Sequence, residues 1–511
     1  MSLEDNLQNE KLGHSESGSG LGVITDGDVP ASEIEEQTNF KRLSSFLSKW
    51  GVELRGITPV PIEERVDKRL YHMFFVWFSA NFNILSFSTG SAGPVFFSLG
   101  VRDSVLVILV VSIITCTIPA CCATFGPKLG MRSMVQSRFS WGYYGARIPS
   151  FLNVFSLECW VILNLIVGGQ TLAAVSDKLN ATLGIVIIGI ISLVVTFLGC
   201  KVIHRYESLV WIPNFIAFLI MLGIGGKHLQ QSSYPVVPPA PASAILSFGG
   251  LMASSIISWC TITADYGVYH DARASSTRVF IYTYLAFVIS NVSASAIGAA
   301  FAATAPGVTA YENGFNGGDD IGGLVEAVLA PLGGFGKFLV VVLSLCLPSS
   351  IAPTMYTCGT SFMTIHEFFA RVPRYMFAIV STAIGIPLAI VGANTFFETL
   401  VDLVSVIGYW TASFGAIVLC EHFVFRRRDY SSYKVENWNK ARLLPPGFAA
   451  VGAFLCSIVI IVPAMQQTWY TGPIAKAGTG DVGVLTGTFV AAISYAVLRP
   501  LEKKWWPTHS S

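Results

Sequence analysis

Trp160 and Asn164 stand four residues apart inside an apolar stretch, 151–176, and therefore share one face of a helix. A flat indole beside a carboxamide can stack on a heteroaromatic ring while the amide reads the ring's edge through two donors and an acceptor. The same pair also fits a structural role, as buried amides that bond across neighbouring helices. Ionisable groups in apolar segments are rare and tend to mark ion or substrate paths. Here they are Glu158, Glu207, Asp265, Glu398, Asp402 and Glu421. Glu207, Asp265 and Glu421 fall near predicted inner helix ends, where Arg205, His270 or Arg426 can pair with them. Glu158 and Asp402 are predicted deeper, and with Asp265 they form the set of proton-coupling candidates. His366-Glu367 lacks the second histidine of a zinc helix, and no nucleophile-base spacing occurs. The reading is of a protein that is not an enzyme, with no metal and no cofactor.

Three stretches are expected to interrupt the helices that carry these groups. Ser86-Phe87-Ser88-Thr89-Gly90-Ser91-Ala92-Gly93-Pro94 lies in the first apolar run and Ser247-Phe248-Gly249-Gly250-Leu251-Met252-Ala253-Ser254-Ser255 in the sixth. Gly and Pro weaken the helical ladder, and freed backbone groups must face protein or water rather than lipid. Small residues also serve close helix packing. The matched placement, five runs apart, predicts a five-plus-five inverted repeat (LeuT-like) with two extra C-terminal helices and a ligand site at mid-membrane between broken helices. A third break is expected at Pro348-Ser349-Ser350-Ile351-Ala352-Pro353-Thr354, where two prolines remove donors and three hydroxyls stand close by.

The positioning elements follow from composition. Of 511 residues 52% are apolar and 12% charged, against roughly 25% charged in soluble domains. The first 70 residues alone hold 8 Lys/Arg and 13 Asp/Glu. What remains reads as an all-α integral membrane protein, since lipid cannot satisfy open backbone and a ~30 Å core needs about 20 helical residues per crossing. Twelve spans are predicted near 72–97, 104–125, 151–176, 181–203, 208–229, 244–268, 279–305, 336–365, 374–393, 396–425, 446–467 and 481–498. Residues 1–50, acidic and rich in Gly and Ser, are expected to be a disordered cytoplasmic tail. A juxtamembrane segment 51–71, a transporter domain 72–498 and a cytoplasmic tail 499–511 complete the division. With the amino terminus inside, inner loops hold 16 Lys/Arg and outer joints 5, so both termini are expected in the cytoplasm. A net charge of +1 argues against nucleic acid as a partner. Ten cysteines without metal or secreted spacing read as packing residues.

Several runs taken together resemble the fungal purine–cytosine permeases of the nucleobase:cation symporters. They are Glu53-Leu54-Arg55-Gly56-Ile57, Trp77-Phe78-Ser79-Ala80-Asn81, Phe125-Gly126-Pro127-Lys128-Leu129-Gly130, Arg138-Phe139-Ser140 and Gly142-Tyr143-Tyr144-Gly145. Asn164-Leu165-Ile166-Val167-Gly168-Gly169-Gln170 is the most specific, joined by Ala264-Asp265-Tyr266, Ile407-Gly408-Tyr409-Trp410 and Glu421-His422-Phe423. The resemblance covers nearly everything after residue 50. It implies proton-driven import of a small heterocycle of the cytosine/purine class across the plasma membrane, sodium remaining open as the coupling ion. It also implies a pocket between the first, third, sixth and eighth spans, lined by Ser86, Trp160, Asn164, Trp259, Ser350 and Pro353.

One departure bears on the substrate. Members of that family typically carry an Asn-Asn pair before the proline of the eighth span, where this chain has Ser350-Ile351. A hydroxyl replaces one bidentate reader and an alkyl group the other. Pyridoxine or a different purine is therefore an alternative substrate, and a non-transporting nutrient sensor an alternative function. A channel would need repeated filter segments, which the sequence lacks. Oligomeric state is not legible.

Overall fold

A computed structural model describes residues 56–197, 200–229, 238–366, 368–369, 372 and 374–507, apart from the side chains of 200–208 and 374–375. The expected tail 1–50 and the Glu207 side chain lie outside the described residues.

Among the described residues the fold is helical, and each predicted span has its helix. The first is split into Tyr71–Asn81 and Ile84–Val95. Then come Val101–Leu129, Arg147–Ala173, Ala181–Phe197, Cys200–Gly225, Ala242–Thr261, Ser276–Gly307, Gly334–Ile365, Arg374–Gly392, Phe396–Cys420, Phe448–Ala464 and Gly483–Trp505. The twelfth helix runs to Trp505, past the expected limit of 498. Thr309–Phe315 and Ile321–Leu329, between the seventh and eighth spans, were not anticipated. Ile321–Leu329 packs on the third span, and Gln170 Nε2 donates to the Asp319 carbonyl at 2.7 Å.

The packing partners repeat with an offset of five. The first span lies against the seventh, and the sixth against the second. The third packs on the ninth, and the eighth on the fourth. The fifth touches the first and eighth, while the tenth touches the sixth and third. The eleventh and twelfth spans pack on each other, and the twelfth on the tenth, outside this exchange. The expected five-plus-five arrangement with two extra helices is therefore present.

The breaks do not fall where the Gly- and Ser-rich runs suggested. Residues 86–93 are regular helix, and the interruption sits just ahead of them at Phe82-Asn83. Asn83 is extended (φ −147°, ψ 175°) and its Oδ1 accepts from the Ser86 N–H at 2.9 Å, capping the second half-helix. The small residues serve contact instead. A Cβ on Gly90 would stand 2.0 Å from the Ser295 carbonyl oxygen, and one on Gly298 2.0 Å from that of Phe87. The first and seventh spans thus cross backbone to backbone. In the sixth span Ser247–Ser255 is likewise helical, and the α-helix gives way to a 3₁₀ turn at Ser258–Thr261, with Ile262 non-helical. In the eighth, the joint is at Leu347, whose N–H bonds back to Ser344, and Pro348 starts the second half-helix. Pro353 lies inside that helix without breaking it.

Candidate functional site

The helix Arg147–Ala173 presents Asn153, Leu157, Trp160 and Asn164 along one face, at intervals of four, three and four residues. This face meets both breaks. The Phe82 carbonyl, left open where the first helix stops, accepts from Asn214 Nδ2 of the fifth span. Asn81 Nδ2 bonds Trp77 O at 2.9 Å, Asn83 Nδ2 bonds Ala80 O at 2.8 Å, and Ser295 Oγ donates to Ser86 O at 3.1 Å. Four side chains thus secure the interrupted backbone, as burial of open carbonyls requires.

Between the breaks lies a cavity of about 50 Å³, walled by the first, third, sixth, seventh and eighth spans. Ser86, Trp160, Asn164, Trp259 and Ser350 all line it. Pro353 lines a smaller recess beside it, with Trp77, Ser349 and Thr354. Trp77 stacks on Phe287 (centroids 5.2 Å apart, 21° between planes) and meets Trp259 edge-on at 5.5 Å. Trp259, which lines the cavity, thus packs on Trp77 of the recess beside it. Among the amides lining the cavity, Asn164 is only 4% exposed. Its Nδ2 bonds Trp160 O at 2.8 Å, while its Oδ1 has no partner. A carbonyl only accepts, so this contact fixes which end of the amide is free. The free end is an acceptor.

The coupling candidates stand apart from the cavity. Glu158 lies on the other face of the third span, where Oε2 accepts from Ser381 Oγ at 2.6 Å and Oε1 is buried without a partner. Asp265 accepts from the Ser133 N–H at 2.7 Å and pairs with Arg132 at 3.8 Å, rather than with His270. Asp402 was expected deep, but its carboxylate takes the N–H and hydroxyl of Thr468 in the segment joining the last two spans. Among the described residues no cluster of His, Cys, Asp and Glu could hold a metal.

Asn153, Asn83 and Asn291, which the residue types did not single out, also line the cavity, as does Thr354 of the expected third break. The first could have been found by following the Trp160–Asn164 face back by two turns. Also missed was Asp481, 6% exposed, which gathers Tyr409 Oη, Gln467 Nε2 and the N–H groups of Gln466 and Gly483 beside the sixth span. Nothing local to Asp481 in the sequence signals this.

Paired broken helices around an enclosed aromatic-and-amide cavity, in a five-plus-five repeat, define a secondary membrane transporter. Comparison with known proteins narrows the class. The family model described as permease for cytosine/purines, uracil, thiamine, allantoin matches residues 59–483, and the chain belongs to that family. A purine-cytosine permease of Emericella nidulans is 35% identical over 486 residues, covering 94% of this chain and 95% of that protein. One from Saccharomyces cerevisiae is 32% identical over 487 residues, 93% and 90% of the two chains. Mhp1, a nucleobase-cation-symport-1 family transporter solved in a closed conformation with bromovinylhydantoin bound, has the same fold. Its TM-score is 0.67 at 16% identity, over 89% of this chain and 97% of that one. The protein is accordingly a multi-pass membrane transporter and not an enzyme.

Proposed function

We propose that this protein is a plasma-membrane symporter that imports a nucleobase-like heterocycle of the cytosine/purine class, driven by protons, through alternating access around residues 72–498. The observation that carries the reading is the unpartnered Asn164 Oδ1, buried in a cavity that also holds Trp160 and Trp259. A buried acceptor without a donor is costly by about 1–3 kcal/mol, and a ring N–H arriving there removes that penalty. The indoles supply the stacking face. Ser86 and Ser350 offer adaptable hydroxyls at the rim of the ring, and Pro353 shapes the wall beside it.

For coupling, Glu158 is the better candidate of three. It keeps one carboxylate oxygen open and has no cation among its contacts, whereas Asp265 is tied to Arg132 and Asp402 to Thr468. The lysine and arginine distribution supports cytoplasmic termini.

Asn164→Ala tests the substrate role in cells lacking their own carriers. Uptake of labelled base is lost while the amount of protein at the cell surface is kept; normal uptake at normal surface levels removes the central residue. Competition among adenine, cytosine and pyridoxine ranks the substrate, and uptake at pH 5 and pH 8, with and without sodium, tests the ion. Labelled ligand that binds without being taken up would point to a sensor.

A further inference from the structure

Asn153 repeats the chemistry of Asn164 at the other end of the same cavity. It is 0% exposed, lines the cavity together with Leu157, Thr261 and Ile262, and has one polar atom without a partner. Its Nδ2 bonds Ser361 Oγ of the eighth span at 2.9 Å. The open atom is Oδ1, an acceptor, as at Asn164. Three further amides, Gln170, Asn214 and Gln467, also keep an unpartnered oxygen, but none of them lines the cavity.

Eleven residues of helix separate Asn153 from Asn164, about 16 Å along the axis. The two amides therefore stand at different depths of the third span, and a ring moving inward meets Asn164 first and Asn153 after it. Asn153 is nearer the start of the third span and Ser361 nearer the end of the eighth. With cytoplasmic termini, both lie toward the inner face.

We propose that Asn153 is a second substrate station, a polar stop on the inward release route that accepts a hydrogen bond from the heterocycle after it leaves Asn164. This rests on the reading of the cavity as the transport site. Without such a stop, a ring that has left its Asn164 bond would pass Leu157 and Ile262 with only hydroxyls already engaged by protein partners, Ser156, Ser258 and Thr261, beside its edge. The barrier would fall on release, not on capture. The residue is thus specific to passage.

The test is uptake kinetics of labelled adenine or cytosine for N153A, N153D and S361A, normalised to surface protein. In N153A the maximal rate falls about tenfold, equivalent to one lost bond to a buried group, while KM stays within about twofold. N153D keeps an acceptor and recovers most of the rate. S361A leaves the cavity-facing atom in place and transports within about twofold of the parent. A wild-type maximal rate in N153A overturns the proposal. So does an S361A that matches N153A in rate and in melting temperature, which would make the amide a helix tie. Loss of both Asn153 variants from the surface says the same. If Asn164→Ala also transports normally, the cavity reading itself has failed; if Asn164→Ala is inactive and N153A normal, only the second station is lost.

Discussion

The cavity and the far end of the tenth and twelfth spans both bury polar side chains in an apolar chain, and they treat them in opposite ways. At the cavity, Asn153 and Asn164 are each anchored by one atom and left open at another. At the far end, Glu421 is 1% exposed yet accepts from Arg426 Nε at 3.0 Å, Arg499 Nε at 3.1 Å and Tyr495 Oη at 2.9 Å. Arg499 also bonds Glu502, which in turn accepts from the Ala449 N–H at 3.1 Å. Two carboxylates and two guanidiniums balance, and each is bonded. This cluster holds the tenth, eleventh and twelfth helices together, with nothing left over for a ligand. The difference between bonded and open polar atoms, combined with a cavity wall, separates binding groups from scaffold more sharply than burial alone.

The largest effect should come from the scaffold side. Glu421→Ala leaves Arg426 and Arg499 without their shared anion, and breaking a buried ion pair costs about 3–5 kcal/mol. We expect a clear drop in melting temperature of the purified protein and less protein at the surface. Asn164→Ala, by contrast, removes an atom that bonds nothing outside its own helix and should melt as the parent does. A destabilised Asn164→Ala beside an unaffected Glu421→Ala would reverse the comparison.

The Ser350-Ile351 dipeptide sharpens the same contrast within two residues. Ser350 lines the cavity, whereas Ile351 is 0% exposed and packed in the main apolar core. Of the two positions that the resemblance sets against an Asn-Asn pair, only one lines the cavity here. Ile351→Asn buries an amide with no partner and should cost about 1–3 kcal/mol in stability, read as a lowered melting temperature. Ser350→Asn should leave the melting temperature alone and change the relative uptake of adenine, cytosine and pyridoxine by about tenfold or more. Equal effects of the two substitutions on melting would contradict the assignment of faces.

How much of this was readable in advance depends on the length scale involved. The spans were legible because an apolar run of bilayer length has few other fates; each has its helix, although the fifth starts at Cys200 and not near 208 and the twelfth ends at Trp505 and not near 498. Trp160 and Asn164 were legible because helical spacing is local. The breaks were displaced because Gly90 meets the Ser295 backbone and Gly298 that of Phe87, contacts across two helices that sequence spacing does not carry. The local cap at Asn83 was the better signal. Asp402 and Asp481 were misjudged or missed because their partners, Thr468, Tyr409 and Gln467, come from distant stretches that meet only in the fold.

His270 is the residue most able to break the comparison, because it is open and buried yet lines neither the cavity nor the recess beside it. It is 6% exposed, and both ring nitrogens lack hydrogen-bond partners. It sits where the segment before the first span docks: Asp67 N–H bonds Tyr269 O at 3.1 Å and Asp271 N–H bonds Asp67 O at 2.9 Å. Burial holds the imidazole below its ordinary value, partly opposed by Asp67; His72 adds to the lowering and Arg69 both opposes and assists it. Burial also pushes the Asp67 carboxyl up, but bonds from Arg69 and the charge of His270 bring it to about 2. The signs separate the two. Asp67 contributes above its unfolded value of about 3.9 and loses that contribution only as pH falls toward about 2. His270 is neutral in both docked and free segments above about pH 6.5, and below it the free form takes up a proton first. Between pH 7 and pH 5 the part of the docking that depends on His270 should therefore weaken, by at most about 2 kcal/mol. Limited proteolysis within residues 60–70 should be faster at pH 5 than at pH 7 in the parent, relative to His270→Gln at each pH. If both proteins show the same ratio, the open nitrogens of His270 are inert, and an unpartnered polar atom marks function only where it also faces a cavity.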